Sequence, residues 1–216
     1  MSKTRAHVQY MVDGKRVRGA TTIIGKNLGW GSGGLIHWAW DLGMQGEDYR
    51  KVRDKAADIG TLAHKMIEGH WTGEKPDPAQ WAPADWAKAE EAFGAFLAWA
   101  SQHDIVPMAN ELSLVHDGLG YGGTLDMPAT VDGRLVYIDY KTGKAVYPSA
   151  LLQAAAYIEL LRYHWDGVEA DVIILHVNKE TGQFTPHEYT YAALRPAFEA
   201  FKAVLRLDEL EPQIKV

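Results

Sequence analysis

The chain has 216 residues, a formal net charge of -6 and no cysteine. Its length suits one domain with a substantial core, and no stretch approaches the ~18 consecutive apolar residues of a membrane span. The lack of cysteine excludes disulfides, thiolate zinc sites and iron–sulfur clusters, so oxygen and imidazole groups would bind any metal. The polar N-terminus MSKTRAHVQY lacks the apolar core of a secretory signal. We expect a cytoplasmic protein with no membrane partner.

Apolar periodicity and turn residues predict the elements in chain order. Helical spacing predicts helices from Arg53 to His70 and from Pro83 to about Ser101, separated by a stretch rich in Pro, Gly and Asp. The later predicted elements are strands Glu111–His116, Tyr121–Val131 and Arg134–Lys141, a helix from Pro148 to about Tyr163, strands Asp171–Val177 and Gln183–Tyr189, and a helix Ala192–Leu207. We expect one domain over 1–216, with an N-terminal extension 1–53, a core 54–177 and a peripheral strand and helix 178–216.

The dipeptide Asp132-Gly133 is typical of a two-residue hairpin turn. Such a turn fixes the register of both strands, so that Val131 faces Arg134 and, further out, Asp126 faces Asp139. The pair falls on a non-hydrogen-bonded position, where side chains approach most closely. The sequence therefore predicts two carboxylates at one place.

Facing carboxylates repel each other unless a cation compensates them, so Asp126 and Asp139 are candidate metal ligands. Lys141 lies two residues after Asp139, on the same face of its strand. An ammonium there can orient or deprotonate a water, or neutralise charge as a phosphodiester reacts. The alternative is a solvated hairpin whose Asp and Lys residues form ordinary surface pairs.

Several ordered motifs resemble the PD-(D/E)XK nuclease superfamily, in its RecB-like and phage-exonuclease branch. They are GTLAH (60–64), Glu111, GYGGTLD (120–126), IDYKTGK (138–144) and QAAAY (153–157). The N-terminal segment GATTIIGKNLGW, followed by LIHWAW, is similar to the opening of phage members. The resemblance implies an α/β fold, with an αβββαβ restriction-endonuclease-like core around a central mixed sheet.

The resemblance also implies a metal site. His64, Asp126 and Asp139 would bind Mg²⁺ or Mn²⁺ together with the backbone carbonyl of Tyr140, and Lys141 would assist the attacking water. Glu111 would be a further ligand, although an exposed acid early in a strand is an equally good interpretation. Cas4-type members of this branch carry a cysteine-ligated iron–sulfur cluster, which this chain cannot bind.

Supporting roles are predicted for residues around this set. Gly60, one helical turn before His64, is expected to clear space beside the imidazole ring. Gln153 and Tyr157 share a helical face, which suits positioning a phosphate or the Lys141 loop, with capping or packing as the alternative. Candidate nucleic-acid contacts are Lys144 and Arg162 as phosphate clamps and Trp30, Trp38 and Trp40 as stacking platforms, although exposed cations are usually solvated and tryptophans usually buried.

Charge is distributed unevenly along the chain. The first 65 residues carry eleven Lys and Arg against six Asp and Glu, whereas the remainder carries eleven against 22. Either these are solvated faces, or the first third forms a basic rim for DNA.

We expect a DNA exonuclease of recombination, repair or end processing, in a bacterial or phage-infected cell and with a recombination protein partner. The alternatives are a structure-specific or restriction-type endonuclease, or a catalytically silent DNA-binding module. Polarity, strand preference and oligomeric state stay open.

Overall fold

A computed structural model describes residues 8–29, 32–178 and 183–214, with the side chains of residues 32 and 55–58 excepted. These residues form the following strands and helices. The strands are β1 (Tyr10–Val12), β2 (Lys15–Gly19), β3 (Ile105–Pro107), β4 (Leu112–His116), β5 (Tyr121–Leu125), β6 (Met127–Val131), β7 (Arg134–Gly143), β8 (Asp171–Asn178) and β9 (Phe184–Tyr189). The helices are α1 (Ala20–Asn27), α2 (Ser32–Met44), α3 (Tyr49–Thr72), α4 (Pro83–Ala100), α5 (Pro148–His164) and α6 (Tyr191–Leu210).

The strands form two mixed sheets. The larger has the order β3-β6-β7-β8-β9, in which β7 and β8 are parallel and the other neighbours antiparallel. The smaller has the order β1-β2-β5-β4, with β2 parallel to β5. Buried residues of α5 and α6 pack on one face of the larger sheet, and those of α3 and α4 pack on the other. The expected α/β, restriction-endonuclease-like fold is confirmed, although its strands are divided between two sheets.

The hairpin register is confirmed. Strands β6 and β7 pair with Val131 opposite Arg134 and Pro128 opposite Tyr137. Asp132 and Gly133 both have positive φ, at 50° and 78°, as the tight two-residue turn requires. The turn determines which side chains lie on each face of the hairpin. It therefore also determines the face on which Asp139 and Lys141 lie.

The predicted strand Tyr121–Val131 breaks at Asp126. Its first half, β5, belongs to the smaller sheet and its second half, β6, to the larger one. The β6–β7 ladder therefore ends at Met127 and Ile138, one residue short of the expected pair of aspartates. In a continued ladder the N–H of Tyr140 would bond to the carbonyl of Leu125, but it donates to Asp126 Oδ2 at 2.9 Å instead. The side chain thus replaces the backbone acceptor that was lost to the other sheet.

The segment before α2 is part of the folded body. Strand β2 pairs with β5, and the polar end of α1 is tied to α6 through Asp208. The buried Asp208 carboxylate accepts hydrogen bonds from Arg18 at 2.6 Å, Asn27 at 3.0 Å and Lys26 at 3.2 Å. Among the residues that the structure describes, no helix is both long and apolar enough to cross a membrane.

Candidate active site

Three polar side chains follow one face of β7. Tyr137, Asp139 and Lys141 are two residues apart, and strand periodicity places them side by side. The Tyr137 hydroxyl donates to Asp139 Oδ1 at 2.8 Å, and Lys141 Nζ donates to the same oxygen at 2.7 Å. The two charged residues of the predicted Asp-x-Lys motif therefore form an ion pair, and the buried tyrosine donates a further hydrogen bond to its carboxylate.

The Asp139 carboxylate is almost completely buried, with 2% of its surface exposed. Lys141 Nζ also lies 2.6 Å from Oδ2, but that oxygen accepts no well-oriented hydrogen bond from any described residue. Burial raises the pKa of Asp139, Lys141 opposes this increase, and Asp126 adds to it. A buried carboxylate whose charge is only partly compensated is a good ligand for a further cation.

The Lys141 ammonium is also largely buried. Burial lowers its pKa, but Asp139 and Asp126 raise it by more, so the pKa lies above its ordinary value. At neutral pH the side chain is therefore a charged donor.

Asp126 lies where the two sheets separate. Its Oδ2 accepts the Tyr140 N–H, and its backbone carbonyl accepts the N–H of Glu111 at 2.9 Å. Glu111 has a positive φ of 50° and lies just before β4 rather than inside it. The break in the strand thus brings Asp126, Glu111 and the end of β7 to one place.

Helix α3 contributes His64. Its Nε2 lies 2.8 Å from the carbonyl oxygen of Tyr140, and the two rings meet edge to face at 5.4 Å. A carbonyl oxygen only accepts, so Nε2 donates this hydrogen bond, and both atoms must give it up before they can bind the expected cation.

The sequence suggested that Gly60 leaves room for the His64 ring, but the structure gives this glycine a different neighbour. A Cβ at Gly60 would lie 2.4 Å from Thr142 Oγ1, so the space is occupied by the threonine of the Asp-x-Lys-Thr-Gly motif. The glycine allows α3 to approach the end of β7. This close approach holds His64 against Tyr140.

Helix α5 supplies Gln153 and Tyr157. Gln153 Nε2 donates to the Tyr157 hydroxyl at 3.0 Å and to Thr21 Oγ1 at 3.2 Å, while the tyrosine and threonine hydroxyls are 3.2 Å apart. Gly123 makes room for the Tyr157 ring, which lies 2.4 Å from where a Cβ would be. The motifs GYGGTLD (120–126) and QAAAY (153–157) are thus packed directly against each other.

The predicted nucleic-acid contacts are dispersed. Lys144 is exposed just after β7, where its carbonyl accepts a hydrogen bond from Asn178. Arg162 lies in a separate groove between α5 and α6, 3.6 Å from Glu159. Trp38 is half-buried against Tyr49, and Trp40 is 60% exposed on α2. Trp30 lies outside the described residues.

The expected metal ligands do not form a preformed cage. Within 8–29, 32–178 and 183–214, no three His, Asp or Glu side chains converge tightly enough to hold an ion. Asp126 accepts a hydrogen bond from the Tyr140 N–H, and Asp139 accepts from Tyr137 and Lys141. The unsatisfied Asp139 Oδ2 and the all-oxygen-and-imidazole donor set nevertheless fit a hard divalent cation.

Sequence reasoning missed three residues of this region. Tyr137 could have been found, since it has the same two-residue period as Asp139 and Lys141. Thr142 lies inside a quoted motif, but its contact with Gly60 depends on how a helix docks on a strand. Thr21 carried no local signal, because its partner Gln153 is 132 positions away.

The family profile of the PD-(D/E)XK nuclease superfamily matches residues 32–211. The match covers most of the chain, and the chain therefore belongs to this superfamily. Its members generally use divalent metals, and the mixed α/β fold is that of the class. A comparison with curated proteins found no match.

The chain is also similar to solved structures at low identity. A protein from Eubacterium rectale, provisionally named an exonuclease, is 15% identical with a TM-score of 0.54, covering 74% of this chain and 69% of that one. The structure of SSO0001 is 14% identical with a TM-score of 0.34, covering 72% of each chain. The first supports the fold, and the second is too distant to support an argument.

Proposed function

We propose that this chain hydrolyses DNA phosphodiester bonds with Mg²⁺ or Mn²⁺, and that it acts as an exonuclease in recombination, repair or end processing. One observation carries the proposal. The Lys141 ammonium is held by Asp139 at the end of β7, beside the Tyr140 peptide that Asp126 and His64 both contact. Membership of the superfamily and the name of the Eubacterium rectale neighbour support it.

Each residue has a distinct role in this proposal. Asp126, Asp139, His64 and the Tyr140 carbonyl would hold the cation, with Glu111 near enough to assist. When bound, the cation supplies Lewis acidity toward water and phosphate oxygens. Tyr137 keeps Asp139 in one orientation, and Gly60 keeps α3 close enough for His64 to take part.

The reaction forms a bond between a water oxygen and phosphorus and breaks the bond from phosphorus to the sugar oxygen. Negative charge increases on the phosphoryl oxygens as the phosphorus becomes pentacovalent. The Lys141 ammonium donates hydrogen bonds to that charge, which stabilises the transition state more than the ground state. Gln153 and Tyr157 position the phosphate or the loop that follows Lys141.

The exonuclease part of the proposal depends on the N-terminal segment. Thr21, Ile24 and Gly25 of this segment line a cavity together with Lys141. Exposed Trp40, further along the segment, offers a surface on which a base can stack. A DNA end would pass this segment to reach His64, whereas an internal site would have to bend toward it. Internal cleavage should therefore be slow.

A digestion panel tests the function. Linear, nicked and covalently closed DNA and single strands are incubated with Mg²⁺, Mn²⁺ or EDTA, and Asp139→Asn is the control for contaminating nucleases. We expect linear DNA to be degraded only with metal, closed circles to survive, and high salt to inhibit. Linearisation of closed circles by the wild type but not by Asp139→Asn would replace the exonuclease with an endonuclease. Inactivity on every substrate would refute the nuclease proposal.

A further inference from the structure

The side chain of Tyr10 on β1 lies over two glycines of the smaller sheet. Gly19 of β2 and Gly122 of β5 are registered neighbours in the parallel pairing of these strands. A Cβ at Gly19 would lie 2.9 Å from the Tyr10 ring, and a Cβ at Gly122 would lie 2.4 Å from it. The two glycines therefore form a flat surface that the ring covers.

The Tyr10 hydroxyl extends this contact along β5. It lies 2.9 Å from Thr124 Oγ1, which is also 2.9 Å from Ser113 Oγ on β4. Gly122 and Thr124 share one face of β5, because side chains alternate along a strand. Tyr10 thus contacts β5 at two positions, and the second is two residues before Asp126.

The opposite face of β5 is covered by Tyr157 of α5. A Cβ at Gly123 would lie 2.4 Å from the Tyr157 ring and 3.0 Å from Leu160 Cδ1. The motif GYGGTLD (120–126) therefore admits one tyrosine ring on each face of the strand. Because packed side chains leave little free space, Tyr10 and Tyr157 together restrict movement of β5 perpendicular to its sheet.

Asp126 lies directly after this restrained strand. The ladder of β4 with β5 ends at Leu125, and that of β6 with β7 starts at Met127, so Asp126 lies between the two ladders. Its Oδ2 accepts the Tyr140 N–H at 2.9 Å. The position of this carboxylate therefore depends on the strand that leads to it.

We infer that Tyr10 is a positioning residue for Asp126. Its ring holds β5 against Tyr157, and the strand in turn holds the Asp126 carboxylate at the Tyr140 N–H and at the proposed cation site. The inference rests on the proposed function only in treating Asp126 as a cation ligand. Strands β1 and β2 precede residues 32–211, so the match to the family profile does not include Tyr10.

Amide hydrogen exchange reports the position of Asp126 independently of metal. Exchange of the Tyr140 N–H is followed by NMR in EDTA, with Ile138 as the internal reference, since Ile138 pairs with Met127 in the regular ladder. We expect Tyr140 in Tyr10→Ala to exchange at least about ten times faster relative to Ile138, whereas a general loss of stability would accelerate both amides. Asp126→Ala removes the acceptor and gives the rate of the unprotected Tyr140 amide.

The conservative variant Tyr10→Phe separates the ring from the hydroxyl. It keeps the ring over Gly122 and loses only the bond to Thr124, which retains Ser113 as a partner. Exchange at Tyr140 should therefore stay within about threefold of the wild-type rate. Gly122→Ala, whose Cβ must displace the ring, should accelerate exchange as Tyr10→Ala does, and it replaces that variant if Tyr10→Ala does not fold.

Tyr163→Ala is the matched control for the loss of an aromatic ring. The Tyr163 ring stacks on His116 of β4 at 4.0 Å, and His116 pairs with Tyr121 at the start of β5, the end away from Asp126. Its removal should leave exchange at Tyr140 unchanged. Mn²⁺ affinity by calorimetry should fall about tenfold in Tyr10→Ala and keep the wild-type value in Tyr163→Ala.

The outcomes separate this inference from the nuclease proposal. If the wild type degrades DNA but Tyr10→Ala keeps the wild-type exchange rate at Tyr140 or the wild-type Mn²⁺ affinity, the positioning role is refuted and the nuclease proposal stands. If exchange at Tyr140 rises selectively but the wild type neither binds Mn²⁺ nor cuts DNA, the nuclease proposal is refuted and the positioning of Asp126 stands.

Discussion

Replacing Gly60 with alanine tests whether the approach of α3 to β7 controls the site. The added Cβ would lie 2.4 Å from Thr142 Oγ1, whereas non-bonded contacts are comfortable at about 3.5 Å. Unless the Thr142 hydroxyl rotates away, helix and strand must separate by about 1 Å to accept it. Because His64 is one turn further along α3, its 2.8 Å contact with the Tyr140 carbonyl would lengthen beyond hydrogen-bonding distance.

The expected loss is larger in activity than in stability. Overpacking costs about 1–3 kcal/mol, and the better helix propensity of alanine returns up to about 1 kcal/mol. The net loss of about 1 kcal/mol would lower Tm by about 2–4 °C in a chain of this size. A displacement of about 1 Å at catalytic groups can reduce the rate by about 10²-fold. We therefore expect Gly60→Ala to fold, bind Mn²⁺ weakly and cleave linear DNA about a hundred times more slowly.

A second substitution should restore the geometry. Thr142 Cβ would be 3.6 Å from the new methyl, an ordinary contact, so Gly60→Ala with Thr142→Ala should cleave DNA as fast as Thr142→Ala alone. Gly94→Ala, a helical glycine with free space around it, controls for helix propensity and should be slightly more stable than the wild type. Rates in saturating Mn²⁺ and guanidinium unfolding supply both quantities. Wild-type activity in Gly60→Ala, or no recovery in the double variant, would refute the packing argument.

Three further predictions concern single residues. Asp126→Asn and Asp139→Asn should each abolish cleavage and weaken Mn²⁺ binding, and unchanged affinity by calorimetry in both would remove them from the site. Lys141→Ala should slow cleavage by about 10²-fold or more while Mn²⁺ binding persists, and wild-type turnover would contradict its role. Burial raises the pKa of Asp208, but hydrogen bonds from Asn27 and Arg18 outweigh it, so the pKa is lowered overall. Asp208→Asn should therefore lower the free energy of unfolding by about 1–3 kcal/mol at neutral pH. This difference should disappear as the pH falls below 3.8 through the native pKa. A pH-independent difference in urea unfolding would disprove this linkage.

The features of the fold that depend on local geometry could be predicted from the sequence. The turn at Asp132 and Gly133 sets the register of β6 and β7, and this register was correct to the last ladder pair. The spacing of Gln153 and Tyr157 placed them on one helical face, where they are hydrogen-bonded. Such relations need only the chain within a few residues of each motif.

The sequence could not predict how separate elements meet. The run through Asp126 looks like one continuous strand, because nothing local shows that its halves pair with different neighbours. The role of Gly60 was misjudged for the same reason, since periodicity assigns a face but not the side chain that fills it. The hydrogen bonds that join Thr21 to Gln153 and Tyr157 connect residues separated by more than half of the chain.

The clamp on Asp208 has a consequence for the order of events during synthesis. Arg18 and Asp208 are 190 positions apart, so the ribosome makes α1 long before the carboxylate that anchors it exists. Contacts between such distant parts of a chain form late in folding, because loop closure must precede them. Helix α1 should therefore acquire its anchor on Asp208 only after α6 has emerged. A nascent chain that already carries every residue around Lys141 would still lack this anchor.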